Sequence, residues 1–404
     1  MQCLFMTKNQ NPSLSSHVNV LSTNLLDASP INQRLNVLQG LAQFSLCFLI
    51  VGCQQLGMQV VCYPLVIVIS LVFSKRIKLL SYKYTVAPLA LISLAALSLN
   101  LRDFPSGDVL NLIRFFTGFL LISFFFANST VKLRYFSYSF IAWSLIELCF
   151  LIFLNDQPPY IKSYLSNSDI ESFSRAEFTY GNLRLLGPFI NSSINGTYAG
   201  VLTLMLLLDP DLIFGKFELR SKKREILLLS ILSGVTLLYS GSATGFITTG
   251  FLLFLRLSPY LFILRSKYVK ILLTLSLIAF ASFSLGGIYF SKLDSNYLSF
   301  IFDLKLNQFF DRVNNVYDLV LGSPYETGFI YGGDFLVLSM IDNFGIILAM
   351  LVFFTAWNQC GRKYRPYFLA LSFSSLHYGT IFSLTGQVLF ASLVLSPNKS
   401  YDLK

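Results

Sequence analysis

The residues best suited to chemistry in this sequence stand where polar stretches re-enter apolar ones. Residues 155–190 form a polar, aromatic-rich stretch ending in Arg184-Leu-Leu-Gly187-Pro188-Phe189, and Asn191-Ser-Ser-Ile-Asn195-Gly196 then opens a long apolar run. Arginine suits a phosphate or diphosphate because its planar guanidinium bonds two oxygens at once. Gly187-Pro188 and Asn195-Gly196 favour irregular backbone that closes around a ligand. Arg184 is therefore the leading anion-binding candidate, with Asn191 and Asn195 beside it. The alternative is an arginine that caps the loop or pairs with an acid. A second cluster, Asp311-Arg312, Leu321-Gly322, Thr327-Gly328 and Gly332-Gly333-Asp334, leads into another apolar run. A carboxylate at that point, its pKa raised by partial desolvation, can deprotonate an incoming hydroxyl. Aspartate is also a preferred helix cap, and Asp334 can serve both ends. Arg114 and Glu147 lie inside apolar runs. Intramembrane charges are functional candidates because burying them is costly unless they are paired, and the simplest pairing here is of one with the other.

The elements that must position these residues are helices in a bilayer. The chain has 404 residues, 54% hydrophobic and 12% charged, against about 25% charged in soluble domains. Its apolar runs approach the roughly 20 residues that cross a membrane. They are continuous rather than alternating with period two, which excludes a transmembrane β-barrel. The predicted fold is all-α and polytopic, with about twelve transmembrane helices near 37–54, 57–74, 84–101, 109–127, 135–154, 191–214, 226–241, 242–257, 270–290, 334–356, 367–381 and 382–396. The pairs 226–257 and 367–396 are nearly continuous and read as re-entrant segments or tight hairpins. Residues 1–36 read as a polar tail without signal-peptide character, 37–396 as the membrane domain, and 397–404 as a second tail.

The net charge of +10 would suggest nucleic acid in a soluble protein, but here its distribution is what counts. Eighteen lysines and arginines fall in the loops after alternate apolar runs, and seven in the longer loops on the opposite side. The positive-inside rule then puts both termini in the cytoplasm and the long loops 155–190 and 291–333 outside, with no nucleic-acid partner. Cys47, Cys53, Cys62 and Cys149 are expected in helices, and Cys3 and Cys360 on the inner side, so no structural disulfide is implied. The two histidines, His17 and His377, belong to no zinc-binding pattern. Nucleotide-binding and serine-nucleophile signatures are absent, which argues against ATP-driven transport by this chain alone.

Over roughly residues 180–350 the chain resembles the Wzy-type O-antigen and capsular polysaccharide polymerases and their relatives, the O-antigen ligases. The resemblance rests on Arg184…Gly187-Pro-Phe-Ile-Asn191…Asn195-Gly196, on Leu237-Leu-Tyr-Ser-Gly-Ser-Ala-Thr-Gly-Phe-Ile-Thr-Thr-Gly250, and on Arg312…Gly322…Asp334…Gly345. Ala243 stands where the family frequently has arginine. The Arg-x10-Gly spacing of some polymerases is one residue longer at Arg184–Gly196 and one shorter at Arg312–Gly322. The resemblance implies a metal-independent, inverting glycosyltransferase at the outer face of a bacterial inner membrane. It would join undecaprenyl-diphosphate-linked oligosaccharides into lipopolysaccharide O-antigen or capsule. Its surroundings would be membrane lipids, with a chain-length regulator and a flippase as partners. Arg184, Arg312, Arg114, Asn191 and Asn195 would bind substrate and Asp334 would be catalytic. Tyr160, Tyr164, Phe173, Phe178 and Tyr180 would stack on sugars or anchor the loop at the interface. A ligase shares this architecture, but aspartate rather than histidine at 334 favours a polymerase. A lipid-linked oligosaccharide flippase is the alternative from another class. It would show related halves and midplane charges, whereas here no half-chain repeat is seen and the polar residues concentrate in outward loops.

Overall fold

A computed structural model describes residues 30–58, 61–62, 64–66, 86–100, 133–164, 184–215, 219, 221–263, 306–307, 309–323, 336–375 and 384–395. Among these residues the chain is helical and contains no strand. In order the helices are α1 (Pro30–Val51), α2 (Val86–Asn100), α3 (Leu133–Leu154), α4 (Pro159–Tyr164), α5 (Ser192–Leu208), α6 (Asp211–Phe214), α7 (Lys223–Ser240), α8 (Ala243–Ile263), α9 (Val316–Leu321), α10 (Leu336–Gln359), α11 (Arg365–Ser374) and α12 (Leu384–Phe390). A π-helical turn, Ala391–Leu395, continues α12. Residues 1–46 and 47–404 form two compact units. Within the first, the described residues are the leading part of α1. It starts at Pro30 rather than at the apolar run near 37, and proline suits a first helical position because its missing N–H would go unused there.

Among the described residues two helices, Leu133–Leu154 and Val337–Gln359, are long and apolar enough to cross a membrane. The second is bent at Gly345, whose φ of 79° breaks the helical path. A β-carbon at Gly345 would stand 2.0 Å from the Val320 carbonyl oxygen, so only glycine lets the end of α9 approach this closely. The near-continuous run 226–257 resolves into a hairpin, α7 and α8 turning at Gly241-Ser242. The run 191–214 is broken at Asp209-Pro210, because the residue before a proline is disfavoured in helical conformation. Cys53 falls not in a helix but in the turn 52–57 that follows α1.

The hub of the second unit is α5, which packs along both arms of the α7–α8 hairpin. Small residues allow this. Gly196 and Gly200 lie one turn apart; a β-carbon at Gly196 would meet Ser240 Oγ at 2.4 Å, and one at Gly200 would meet Thr249 Oγ1 at 1.9 Å. A β-carbon at Gly245 of α8 would strike the Gly196 backbone itself at 2.6 Å. Such close helix crossings through small residues are typical of interfaces in lipid. The α7 pattern fits the same solvent: Ser230, Ser233, Thr236 and Ser240 are buried while Leu227, Leu228, Ile231 and Leu238 are exposed. In water that arrangement is inside out; in lipid it matches apolar surface to apolar solvent. The far end of α5 is held by its own ion pair. Asp209 receives Arg256 Nη2 at 2.6 Å and the Tyr367 hydroxyl at 2.5 Å, tying α5 to α8 and α11.

Gly245→Leu is expected to abolish accumulation of the folded protein, since backbone stands where the side chain must go. Gly234→Ala, on a stretch of α7 where the new carbon meets open space, leaves accumulation unchanged. Membrane-fraction immunoblots compared at equal transcript level check both.

Candidate functional site

The segment Arg184–Asn191 is a loop with one 3₁₀ turn, Gly187–Phe189, and side chains from elsewhere hold its backbone. Leu186 and Gly187 donate their backbone N–H groups to the two carboxylate oxygens of Glu147, each at 2.6 Å. Glu147 lies on α3 and is fully buried. The Gly187 carbonyl accepts Gln55 Nε2 at 2.6 Å, the Arg184 carbonyl accepts Gln157 Nε2 at 3.0 Å, and Leu185 N–H donates to the Tyr239 carbonyl at 3.0 Å. Four separate stretches of chain thus hold this loop by its backbone. Gly187 takes φ +64°, and a β-carbon there would overlap the Asn195 amide at 2.0 Å, so both backbone and space demand glycine. Ile190 also takes a left-handed φ of 51°, a conformation that a β-branched residue adopts only when its surroundings enforce it. Leu185, Leu186 and Phe189 are buried beneath, and Phe189 stacks on Tyr198 of α5 with ring centroids 4.9 Å apart.

Fixed in this way, Arg184 is half-buried and lies over the α7–α8 turn. A β-carbon at Gly241 would be 3.6 Å from its Nε. Ser242, in that turn, caps α8 by accepting the Gly245 N–H at 2.9 Å, and its hydroxyl also reaches the Ser193 carbonyl at 3.3 Å. Two segments more than 50 residues apart in sequence, the arginine loop and the Ser-Gly-Ser turn, therefore meet at one end of the α5–α7–α8 group. Nearby, burial and then the negative charge of Glu147 push the Tyr160 hydroxyl well above its ordinary pKa, so it stays protonated.

The two asparagines expected to bind substrate have other duties. Asn191 caps α5, its Oδ1 accepting the N–H groups of Ser193 and Ile194 at 2.9 and 3.0 Å. Asn195 is fully buried under Gly187, with Nδ2 facing the Leu185 carbonyl at 3.4 Å. Asn191 Oδ1 and Asn195 Nδ2 are thus engaged within the loop that the two residues were expected to line. Arg312 belongs to a separate cluster. Its Nε pairs with Asp342 at 2.9 and 3.1 Å, and Asp342 also accepts the Ser323 N–H through its backbone carbonyl at 2.8 Å. This ion pair joins the segment before α9 to the kinked helix α10. Asp334 and Arg114 lie outside the described residues. Glu147 meets the expectation that a buried charge needs partners, and backbone amides supply them.

Sequence reading missed Gln55, Gln157 and Asp342. For Asp342 a signal existed, since it is an acid inside an apolar run with an arginine in the preceding segment. Gln55 and Gln157 carried none. Among the described residues no cluster of His, Cys, Asp or Glu is placed to hold a metal ion. What the arrangement offers chemically is a cation presented from a rigid backbone beside a hydroxyl-rich turn, a setting for an anionic group. No family model matches the chain, and neither a curated protein nor a solved structure matches it.

Two substitutions test these assignments. Glu147→Gln can satisfy only one of the two amide donors and turns an N–H group toward the other, so thermal unfolding in detergent should show a loss of about 2–3 kcal/mol. Arg312→Met leaves Asp342 as an unpaired buried charge, a loss of about 3–5 kcal/mol, and adding Asp342→Leu should restore most of it. Recovery of stability in the double variant marks the pair as architectural.

Proposed function

We propose that this chain is an oligosaccharide repeat-unit polymerase of a bacterial inner membrane, joining undecaprenyl-diphosphate-linked units at the outer face. The observation that carries the reading is the convergence of Arg184 with the Ser240-Gly241-Ser242 turn, because these belong to two of the three segments on which the family resemblance rests. A diphosphate leaving group needs cationic stabilisation as its bond to the sugar breaks. Arg184 is the described residue suited to this, and the Glu147 clamp fixes its position before substrate arrives.

The reaction is a displacement at the anomeric carbon. An acceptor sugar hydroxyl attacks from the face opposite the diphosphate, the new glycosidic bond forms, and the electron pair of the breaking bond leaves with undecaprenyl diphosphate. The hydroxyl proton passes to a carboxylate, a role this reading gives to Asp334. Arg312, engaged with Asp342, supports the frame rather than the donor. The outward orientation follows from the cation asymmetry, which supports reporter fusions at residues 78, 220 and 363 scoring as cytoplasmic and fusions at 165 and 310 as exported.

Arg184→Lys keeps the charge and loses the two-oxygen fork, so polymerisation should fall by about 10²-fold or more at normal protein abundance. Gel ladders of surface polysaccharide are the readout. Asp334→Asn preserves a helix cap and removes a base, with an expected loss of about 10²–10⁴-fold. Cells carrying it should accumulate single repeat units. Full-length polysaccharide in the Arg184→Ala strain overturns the assignment of the donor site.

A further inference from the structure

The corner between α10 and α11 carries three cations that the proposed reaction does not use. A 3₁₀ turn, Arg362–Tyr364, joins the two helices, and the Arg365 N–H closes it on the Arg362 carbonyl. The turn is anchored at three points. The Tyr364 hydroxyl donates to the Leu212 carbonyl at 3.3 Å, Lys363 Nζ pairs with Asp211 at 3.2 Å, and the Arg365 guanidinium lies 4.6 Å over the ring of Trp357. Arg362 and Arg365, three residues apart on a helical path, are neighbours on one face. Arg362 is exposed, and neither arginine has an acidic partner among the described residues. Arg365 Nε is covered without a hydrogen-bond acceptor. The cation over the indole is also continuous with apolar surface. Trp357 stacks in turn on Phe353, one turn back along α10, with ring planes 12° apart and centroids 6.5 Å apart. Phe353 and Phe354 are 41% and 51% exposed. Guanidinium, indole and phenyl thus form one column running from charge to hydrocarbon, which matches an amphiphile with an anionic head. A free anion would use only its first step.

We propose that this corner binds an anionic phospholipid, its phosphate in the forks of Arg362 and Arg365 and its acyl chain along Phe353 and Phe354. A planar guanidinium bonds two phosphate oxygens at once. Lys363, although paired with Asp211, remains 63% exposed beside the two arginines and adds to their field. Tryptophan suits the depth, because its ring settles at the level of lipid headgroups. Cation clusters just beyond a membrane helix draw the anionic lipids of the cytoplasmic leaflet. The site depends on this corner lying at the inner boundary of the membrane, where the cation asymmetry puts it, and not on polymerisation.

The test reads lipid contact at Trp357. The chain has two tryptophans, so Trp143→Phe leaves Trp357 as the sole indole. The full-length Trp143→Phe protein is reconstituted in phosphatidylcholine vesicles holding a minor fraction of phosphatidylglycerol. In one set the phosphatidylglycerol carries brominated acyl chains; in the other an equal fraction of the phosphatidylcholine does. Bromine quenches an indole only on contact. Brominated phosphatidylglycerol should quench Trp357 about threefold more than brominated phosphatidylcholine. Arg362→Gln with Arg365→Gln should bring the two lipids level, and Arg362→Gln alone, a change at an exposed side chain, should remove about half of the preference. Equal quenching by both lipids without these substitutions overturns the proposal, as does a preference unchanged in Arg362→Gln. A preference erased by inorganic phosphate at constant ionic strength assigns the corner to a free anion and overturns the lipid. No quenching by either lipid overturns the membrane placement as well. No sugar donor is present, so the proposed reaction stands or falls separately.

Discussion

A single buried carboxylate organises this end of the molecule. Glu147 turns two successive amides of the Leu186–Gly187 segment toward α3, and the geometry of everything between Arg184 and Asn191 follows. An ionised group in an apolar interior is tolerated only when donors surround it. An irregular loop in the same interior is tolerated only when its amides find acceptors. Each solves the other's problem. The result is a loop, with one 3₁₀ turn at Gly187–Phe189, whose one cation lies over the neighbouring turn.

The α5–α7–α8 group supplies the floor beneath that loop. Because Gly196, Gly200 and Gly245 remove side chains from the crossing, three helices come close enough for hydroxyls to bond neighbouring carbonyls, as Ser233 does to Ala199 at 2.8 Å. On α7 the hydroxyls of Ser230, Ser233, Thr236 and Ser240 sit inside while Leu227, Leu228, Ile231 and Leu238 face out.

Much of the frame was legible from the pattern of apolar runs, because length and continuity report directly on helices, and Gly241-Ser242 announced its turn through composition. The arginine loop was legible too, since glycine, proline and asparagine cluster there. Its supports were not. Glu147 is 39 positions from Leu186 and Gln55 is 132 from Gly187, and no local signal encodes a side chain meeting a distant main-chain amide. The asparagines carry a related ambiguity: the residue types that suit a ligand also suit a helix cap and a buried amide contact. Which duty each performs depends on neighbours brought in by the fold. Arg312 illustrates the same ambiguity, its partner Asp342 lying on another element that sequence order alone does not place beside it.

One helix joins the two ends of this arrangement. Ser242 of the hairpin turn bonds the Ser193 carbonyl at the start of α5, and Asp209 fixes its finish to Arg256 and Tyr367. Sliding α5 along its axis would rupture the Ser242–Ser193 hydrogen bond at one end and an ion pair at the other. It therefore behaves as a tension rod rather than a piston. Gly-packed against α7 and α8 and held at both extremities, α5 is the fixed member around which the hairpin is built.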